Sequence, residues 1–296
     1  MARILPILLT VALAVSLEAQ PTFRSTVDLV TVPVTVSGHD GVRPAGELSA
    51  ANFRIYEDGV LQELALVSHE PRAISLCILL DSSPSMASGR QVLASRTIDA
   101  LLQGLNGDDE AALLFFASKV RTAFSWTRGR DIKPVSWIEW RVSLGTALVD
   151  ALREGLTMIE QASNPLPVIL VVSDGGENAS RTPLAKLVAS RRQSETLVYG
   201  IDTELQPSRF APPVNRAFSN FLPDIVGDSG GTVYEVKSPE AGETAARAML
   251  EELRSQYTLG YVPKRAPDGT FRQLKVETTA RGYTVRYRAG YLAERK

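Results

Sequence analysis

Three apolar runs, ISLCILL (74–80), AALLFFAS (111–118) and PVILVVS (167–173), constrain this chain more than any other feature of it. None alternates apolar with polar residues. The first reads as a strand buried on both faces, which is the environment of a parallel sheet covered by helices, and the other two read as strands. The segments that separate and follow them carry apolar residues at helical spacing. In 89–105 these are Val92, Leu93, Ile98, Leu101, Leu102 and Leu105, and similar patterns run through 145–162, 183–194 and 239–256. VRTAFSW (120–126), ETLVYGI (195–201) and GTVYEV (231–236) add strands, and 215–230 is expected to be mostly helix. Strand and helix alternate from about residue 72 to 256, the pattern of a doubly wound α/β sheet with right-handed crossovers.

The flanks have a different texture. From 22 to 70 the chain is β only: TVDLVTVPVTVS (26–37) is a strand that Pro33 should push to a sheet edge, and HDG (39–41) is a turn. Phe53 to Glu57 and Leu61 to Ser68 read as two strands joined at Asp58-Gly59, a hairpin signal. After the α/β region, 257–291 holds YTLGYVPK, RQLKVETT and YTVRYRAGY, again β, with turns at Asp268-Gly269 and Arg281-Gly282. Each flank is too small for a core of its own. They are expected to pack together as one β-sandwich into which the α/β region is inserted.

Residues 1–19 begin with Arg3, continue in an apolar run from Ile4 to Leu17 and end on Ala19, the order of a cleavable export signal. The alternative, an uncleaved anchor helix, is disfavoured by the short run and by Pro6. With no other apolar run of membrane-spanning length, the mature chain is expected to be exported, periplasmic or extracellular, without a transmembrane segment. Its single cysteine, Cys77, lies inside the first apolar run and can form no intrachain disulfide. With 32 basic and 33 acidic residues, a net charge of -1, the chain lacks the basic footprint of a nucleic-acid binder.

Ligand sites in such sheets lie beyond the carboxyl ends of the strands, where the winding reverses. There the sequence places oxygen. Asp81-Ser82-Ser83-Pro84-Ser85 follows the first strand, Asp174-Gly175-Gly176 follows PVILVVS, and Gly145-Thr146 opens the helix between them. Hydroxyls of Ser83, Ser85 and Thr146 can coordinate a hard cation such as Mg2+ directly, and Asp81 and Asp174 can supply charge directly or through water. Two carboxylates that meet favour a cation between them. A cation held mainly by neutral hydroxyls and waters stays electrophilic enough to accept a carboxylate from a partner.

Other chemistries fit less well. Gly-x-Ser-x-Gly and Ser-x-x-Lys signatures are absent around Ser83, as is a Gly-rich phosphate loop after the first strand. Ser83 and Ser85 alone could be helix caps, and Asp174 with its glycines alone could be a turn. Glu177 and Asn178 could shape the rim or belong to a solvated loop. His39 and His69 read as surface residues. Trp126, Trp137 and Trp140, with Arg128, Arg130 and Lys133 among them, fit either a packed core or a ligand-facing loop.

The Asp-x-Ser-x-Ser string at 81–85, Gly145-Thr146 and SDGGEN (173–178) resemble the metal-ion-dependent adhesion site of von Willebrand factor A and integrin I domains. The flanks, VDLVTVPVTV, NFRIYEDGVLQEL and YTLGYVPKRAPDGTFRQLKV, resemble exported acidobacterial proteins related to that family. The resemblance implies a Rossmann-like A domain over 72–256, with Asp81, Ser83, Ser85, Thr146 and Asp174 holding Mg2+, Mn2+ or Ca2+, and a protein ligand that presents a carboxylate. It implies a binding module for adhesion or assembly and not an enzyme. Two alternatives stand beside it: an envelope component whose metal only stabilises the fold, and a metal-assisted hydrolase. In integrin-type relatives the terminal helix shifts on ligand binding, so the helix at 239–255 could pull on the sandwich.

Overall fold

The computed structural model describes residues 29–38, 46–137, 140, 142–203, 215–216 and 221–294. The export signal, the turn at 39–41 with His39, and residues 22–28 of the N-terminal β region lie outside them. The first apolar run forms β5 (Ile74–Asp81), buried at every position. Its neighbours are β6 (Glu110–Phe116) and β8 (Leu166–Ser173), both parallel to it. With β7 (Val120–Arg128), β10 (Leu197–Asp202) and β12 (Val233–Glu235) they make a six-stranded sheet of order β12-β10-β8-β5-β6-β7, parallel except for β7.

Side chains alternate along each strand and so feed two separate cores. On one face Leu76, Ile78 and Leu80 meet α1 (Gly89–Gln103) and the last helix, α5 (Pro239–Arg254). On the other, Cys77 and Leu79 meet α2 (Leu148–Ile159), α3 (Leu184–Gln193) and α4 (Leu222–Ser229). α1 and α5 approach so closely that a Cβ on Gly242 would stand 2.0 Å from the Thr97 hydroxyl. Of the stretch expected to be mostly helix, 215–230, only Leu222–Ser229 is helical among the described residues. Asn215–Arg216 instead forms a short strand, β11, paired with β9 (Gly176–Glu177) beside the loop after β8.

The flanking strands form two antiparallel sheets of order β15-β1-β13-β4 and β16-β14-β2-β3. β1 (Val30–Gly38) pairs with β13 (Tyr257–Tyr261) and β15 (Tyr283–Tyr287), and β2 (Phe53–Glu57) pairs with β14 (Phe271–Thr278), so segments on either side of the α/β region in sequence lie side by side. Val32, Val34, Tyr257 and Leu259 from one sheet pack on Phe53, Ile55, Leu274 and Val276 from the other.

Two sequence expectations fail here for local reasons. Pro33 is not on an edge strand: it pairs with Thr258 on one side and lies one residue beyond the Val34↔Tyr287 end of the β15 ladder on the other, so its missing N–H breaks no bond there. The strand expected over 61–68 is two strands, β3 (Val60–Gln62) and β4 (Leu64–Ser68), because the chain changes sheets at Glu63. The hairpin itself forms as expected, with positive φ at both Asp58 (48°) and Gly59 (79°), the geometry of a type I′ turn.

One buried charge cluster joins the two sheets. The Glu57 carboxylate of β2 accepts hydrogen bonds from Arg272 Nη1 of β14 (2.8 Å), the Tyr261 hydroxyl of β13 (2.6 Å) and the Tyr291 hydroxyl of β16 (Gly290–Leu292; 2.7 Å). Arg272 is fully buried and Glu57 nearly so. Removing one member of such a pair strands the others, at a typical cost of about 3–5 kcal/mol. Glu57→Ala should therefore lower the unfolding free energy from urea melts by about that much, and a loss below about 1 kcal/mol, the worth of an exposed pair, would show that the cluster does not hold the sheets together.

Candidate metal centre

The sheet's winding reverses at β5, with β6 on one side and β8 on the other, and the two expected aspartates stand at that edge. Asp81 is the last residue of β5 and has no exposed surface. Its Oδ1 accepts the backbone N–H of Ser83 (2.8 Å) and its Oδ2 the hydroxyl of Ser173 (2.6 Å), the last residue of β8. The Ser173 oxygen in turn accepts the N–H of Gly175 (3.0 Å), so one hydroxyl fixes both the carboxylate of β5 and the loop that carries Asp174.

Ser83 and Ser85 face each other, with their hydroxyl oxygens 3.0 Å apart. Ser83 precedes a 3-10 turn, Pro84–Met86, but its side chain makes no capping bond, so the cap reading does not describe it. The loop is pinned from behind by Ser82, which donates its N–H (2.7 Å) and hydroxyl (3.0 Å) to the Phe116 carbonyl.

Thr146 is almost fully buried and reaches the site on a loop that needs glycine before it. Gly145 has φ +81°, and a Cβ there would meet Ala179 Cβ at 3.0 Å. Asn178 clamps the loop reciprocally: its Oδ1 accepts the Thr146 N–H (2.9 Å), and its own N–H donates to the Thr146 carbonyl (2.9 Å). Glu177 supplies the cap that Ala147 cannot give α2, accepting the N–H of Val149 (2.9 Å). The Thr146 hydroxyl then rests against Gly176, where a Cβ would stand 3.2 Å away.

Of the five expected residues, Asp81, Ser83 and Ser85 are thus linked around one turn. Asp174 is near enough to act on Asp81 electrostatically, and Thr146 is docked on the loop that follows Asp174. Ser173, Asn178, Glu177 and Arg90 complete the arrangement. The first three sit in the SDGGEN string, but nothing in sequence spacing reveals which N–H each will accept. The tryptophans pack inward: Trp140 is 6% exposed, its ring 5.9 Å from those of Phe115 and Trp137, and Trp137 Nε1 donates to Asp99 (3.0 Å). His69 stacks on Tyr257 at 4.4 Å, in the sandwich and away from the site.

Two carboxylates and three hydroxyls make an all-oxygen donor set, suited to a hard cation that keeps some of its waters. Among the described residues no group of three or more His, Cys, Asp or Glu could hold a metal, so any cation here depends on the hydroxyls. The electrostatics favour one. Burial above all, and then the neighbouring Asp174 charge, push the Asp81 carboxyl from 3.8 up to about 6 against the three hydrogen bonds from Ser173 and Ser83 that lower it.

With no divalent cation bound, native Asp81 holds its proton more tightly than the unfolded chain does. The cost of burying its charge is therefore absent well below pH 3.8, grows until about pH 6 and is constant above. Measured against Asp81→Asn, the cation-free protein should lose about 2 kcal/mol of unfolding free energy between about pH 4 and pH 7. Parallel pH profiles for the two proteins would mean that Asp81 titrates normally.

A von Willebrand factor type A domain profile matches residues 76–177. No curated protein sequence matches the chain. Among solved structures, an aerotolerance-related membrane protein from Bacteroides fragilis is 20% identical with a TM-score of 0.45, over 61% of this chain and 98% of that one. A von Willebrand factor type A protein from Catenulispora acidiphila is 14% identical with a TM-score of 0.49, over 91% and 75%. The PilB minor pilin from Streptococcus sanguinis is 12% identical with a TM-score of 0.48, over 64% and 63%. Residues 76–177, which hold most of β5, all of β6 and β8 and the three junctions that carry the oxygen cluster, are thus the part of this chain that matches a von Willebrand factor type A domain.

Proposed function

We propose that this chain is an exported binding module that grips a carboxylate of a partner protein through a divalent cation, Mg2+ or else Mn2+ or Ca2+, held by Asp81, Ser83, Ser85, Thr146 and Asp174. The observation that carries this reading is the fully buried Asp81 carboxylate, with the Asp174 charge near it, standing over a pair of hydroxyls that cap no helix. When bound, the cation would supply an electrophilic position for an acidic side chain.

The chain's own residues have separate tasks. Ser83, Ser85 and Thr146 offer neutral oxygens, which leave more of the positive charge unspent than carboxylates would. Ser173 and the Ser83 N–H aim Asp81, and Asn178 aims Thr146. The type A domain and the export-like residues 1–19 support adhesion or assembly outside the cytoplasm. Among the described residues no helix is long and apolar enough to cross a membrane. A hydrolase would need a general base within reach of an activated water. Both carboxylates are assigned here to the cation, which is why binding is preferred to catalysis.

Calorimetric titration of the purified chain with MgCl2 or MnCl2 should register one site per chain. Asp81→Ala should abolish uptake, and Asn178→Ala, which frees the loop that aims Thr146, should weaken it by about 10- to 100-fold, the usual loss when a residue that orients a ligand is removed. A pull-down from envelope extract should lose its partner on chelation and regain it with Mg2+. Uptake of metal with capture indifferent to chelator would instead favour a cation that only stabilises the fold.

A further inference from the structure

Arg90 stands in the first turn of α1 and reaches back over the carboxyl edge of the sheet. Its Nη1 donates to the Ser85 carbonyl (2.8 Å) and its Nε to the Thr203 carbonyl (3.2 Å), while Nη1 lies 3.9 Å from Asp174 Oδ2. One side chain thereby ties together the loops that follow β5, β8 and β10. It remains partly open to solvent, its side chain 24% exposed against 11% for Asp174.

A guanidinium does not give up its charge in a protein. It therefore acts on the oxygen cluster in two opposed ways. With no cation present it offsets the repulsion between Asp174 and Asp81; a divalent ion entering the same cluster meets it as a like charge. The two carbonyl contacts ask only for a donor, so they leave the charge itself unexplained, and the approach to Asp174 is too long for a direct hydrogen bond but well within electrostatic range.

We propose that Arg90 is a built-in counter-cation that holds Asp174 in place in the cation-free protein and sets the affinity for a divalent ion below what the five oxygens alone would give. This rests on the cation reading of the site. Its consequence is a site that fills only where divalent ions are abundant and that stays folded when they are scarce.

The test compares wild type, Arg90→Lys and Arg90→Gln as full chains, titrated with MnCl2 alone by calorimetry and melted without cation. Arg90→Gln should bind Mn2+ about tenfold more tightly and melt at a lower temperature when cation-free. Arg90→Lys, which keeps the charge, should bind as wild type does. Arg90→Met serves the same purpose if the glutamine variant does not fold. Equal or weaker Mn2+ binding by the neutral variants overturns the inference and leaves Arg90 as a loop clamp only. No uptake by wild type or by any variant overturns the functional reading as well, whereas uptake by Arg90→Gln alone supports both.

Discussion

Strand β5 has no residue that faces water, and that constraint shapes most of what surrounds it. Its even-numbered side chains require α1 and α5 on one face, and its odd-numbered ones require α2, α3 and α4 on the other. A strand covered this completely can meet polar chemistry only at its ends. At the carboxyl end it delivers Asp81 into a place where a carboxylate is costly. The hydroxyl of Ser173 and the N–H of Ser83 offset part of that cost. The rest persists as a raised proton affinity, and a divalent cation or a proton can relieve it. The fold thus makes the site by burying a charge that it does not fully satisfy.

Legibility in the sequence follows the same physics. The parallel strands are readable because a doubly buried strand needs an unbroken apolar run, and the ends of such runs show where oxygens will gather. Asp81, Ser83, Ser85, Thr146 and Asp174 stand out because each lies at such an end or at a helix start. What cannot be read depends on contacts across the fold. Asn178 holds Thr146 and Glu177 caps α2 through backbone N–H groups far away in sequence, and no residue pattern encodes which N–H an amide or carboxylate will accept. Arg90 escapes notice because a lone arginine early in a helix looks like solvated surface. The break at Glu63 and the interior position of Pro33 are likewise set by which sheet the chain joins, and by where the neighbouring ladder ends.

Polar bonds, not apolar surface alone, tie the α/β region to the paired sheets. Arg286 of β15 bonds Glu252 of α5, which also accepts the Tyr199 hydroxyl of β10 (2.5 Å), and Arg286 Nε donates to the Gly230 carbonyl (3.0 Å). Only Ser255 and Gln256 separate α5 from β13, and both are held: the Ser255 carbonyl lies 3.1 Å from His69 Nε2, and Gln256 Nε2 donates to the Thr35 hydroxyl (3.1 Å). Within the α/β region, Arg254 anchors the end of α5 through a bond to the Gly104 carbonyl (2.7 Å) and an ion pair with Asp109 (3.1 Å).

These bonds bear on how the sandwich could respond to the site. For α5 to slide along its axis, the Glu252 carboxylate would have to leave both the half-buried Arg286 and the fully buried Tyr199, whose phenol would then lose its acceptor. Rotation of α5 together with β13 and β15 keeps the Arg286–Glu252 bond, because the two move as one, but it would strain the bonds of Glu252 to Tyr199, Arg286 to Gly230 and Arg254 to Asp109. A displacement of whole packed layers thus spares the one ion pair between α5 and β15 that a helix shift would break, and it is resisted by the remaining bonds to the α/β region and by the contact of α5 with α1, where Gly242 meets Thr97 with no room to spare.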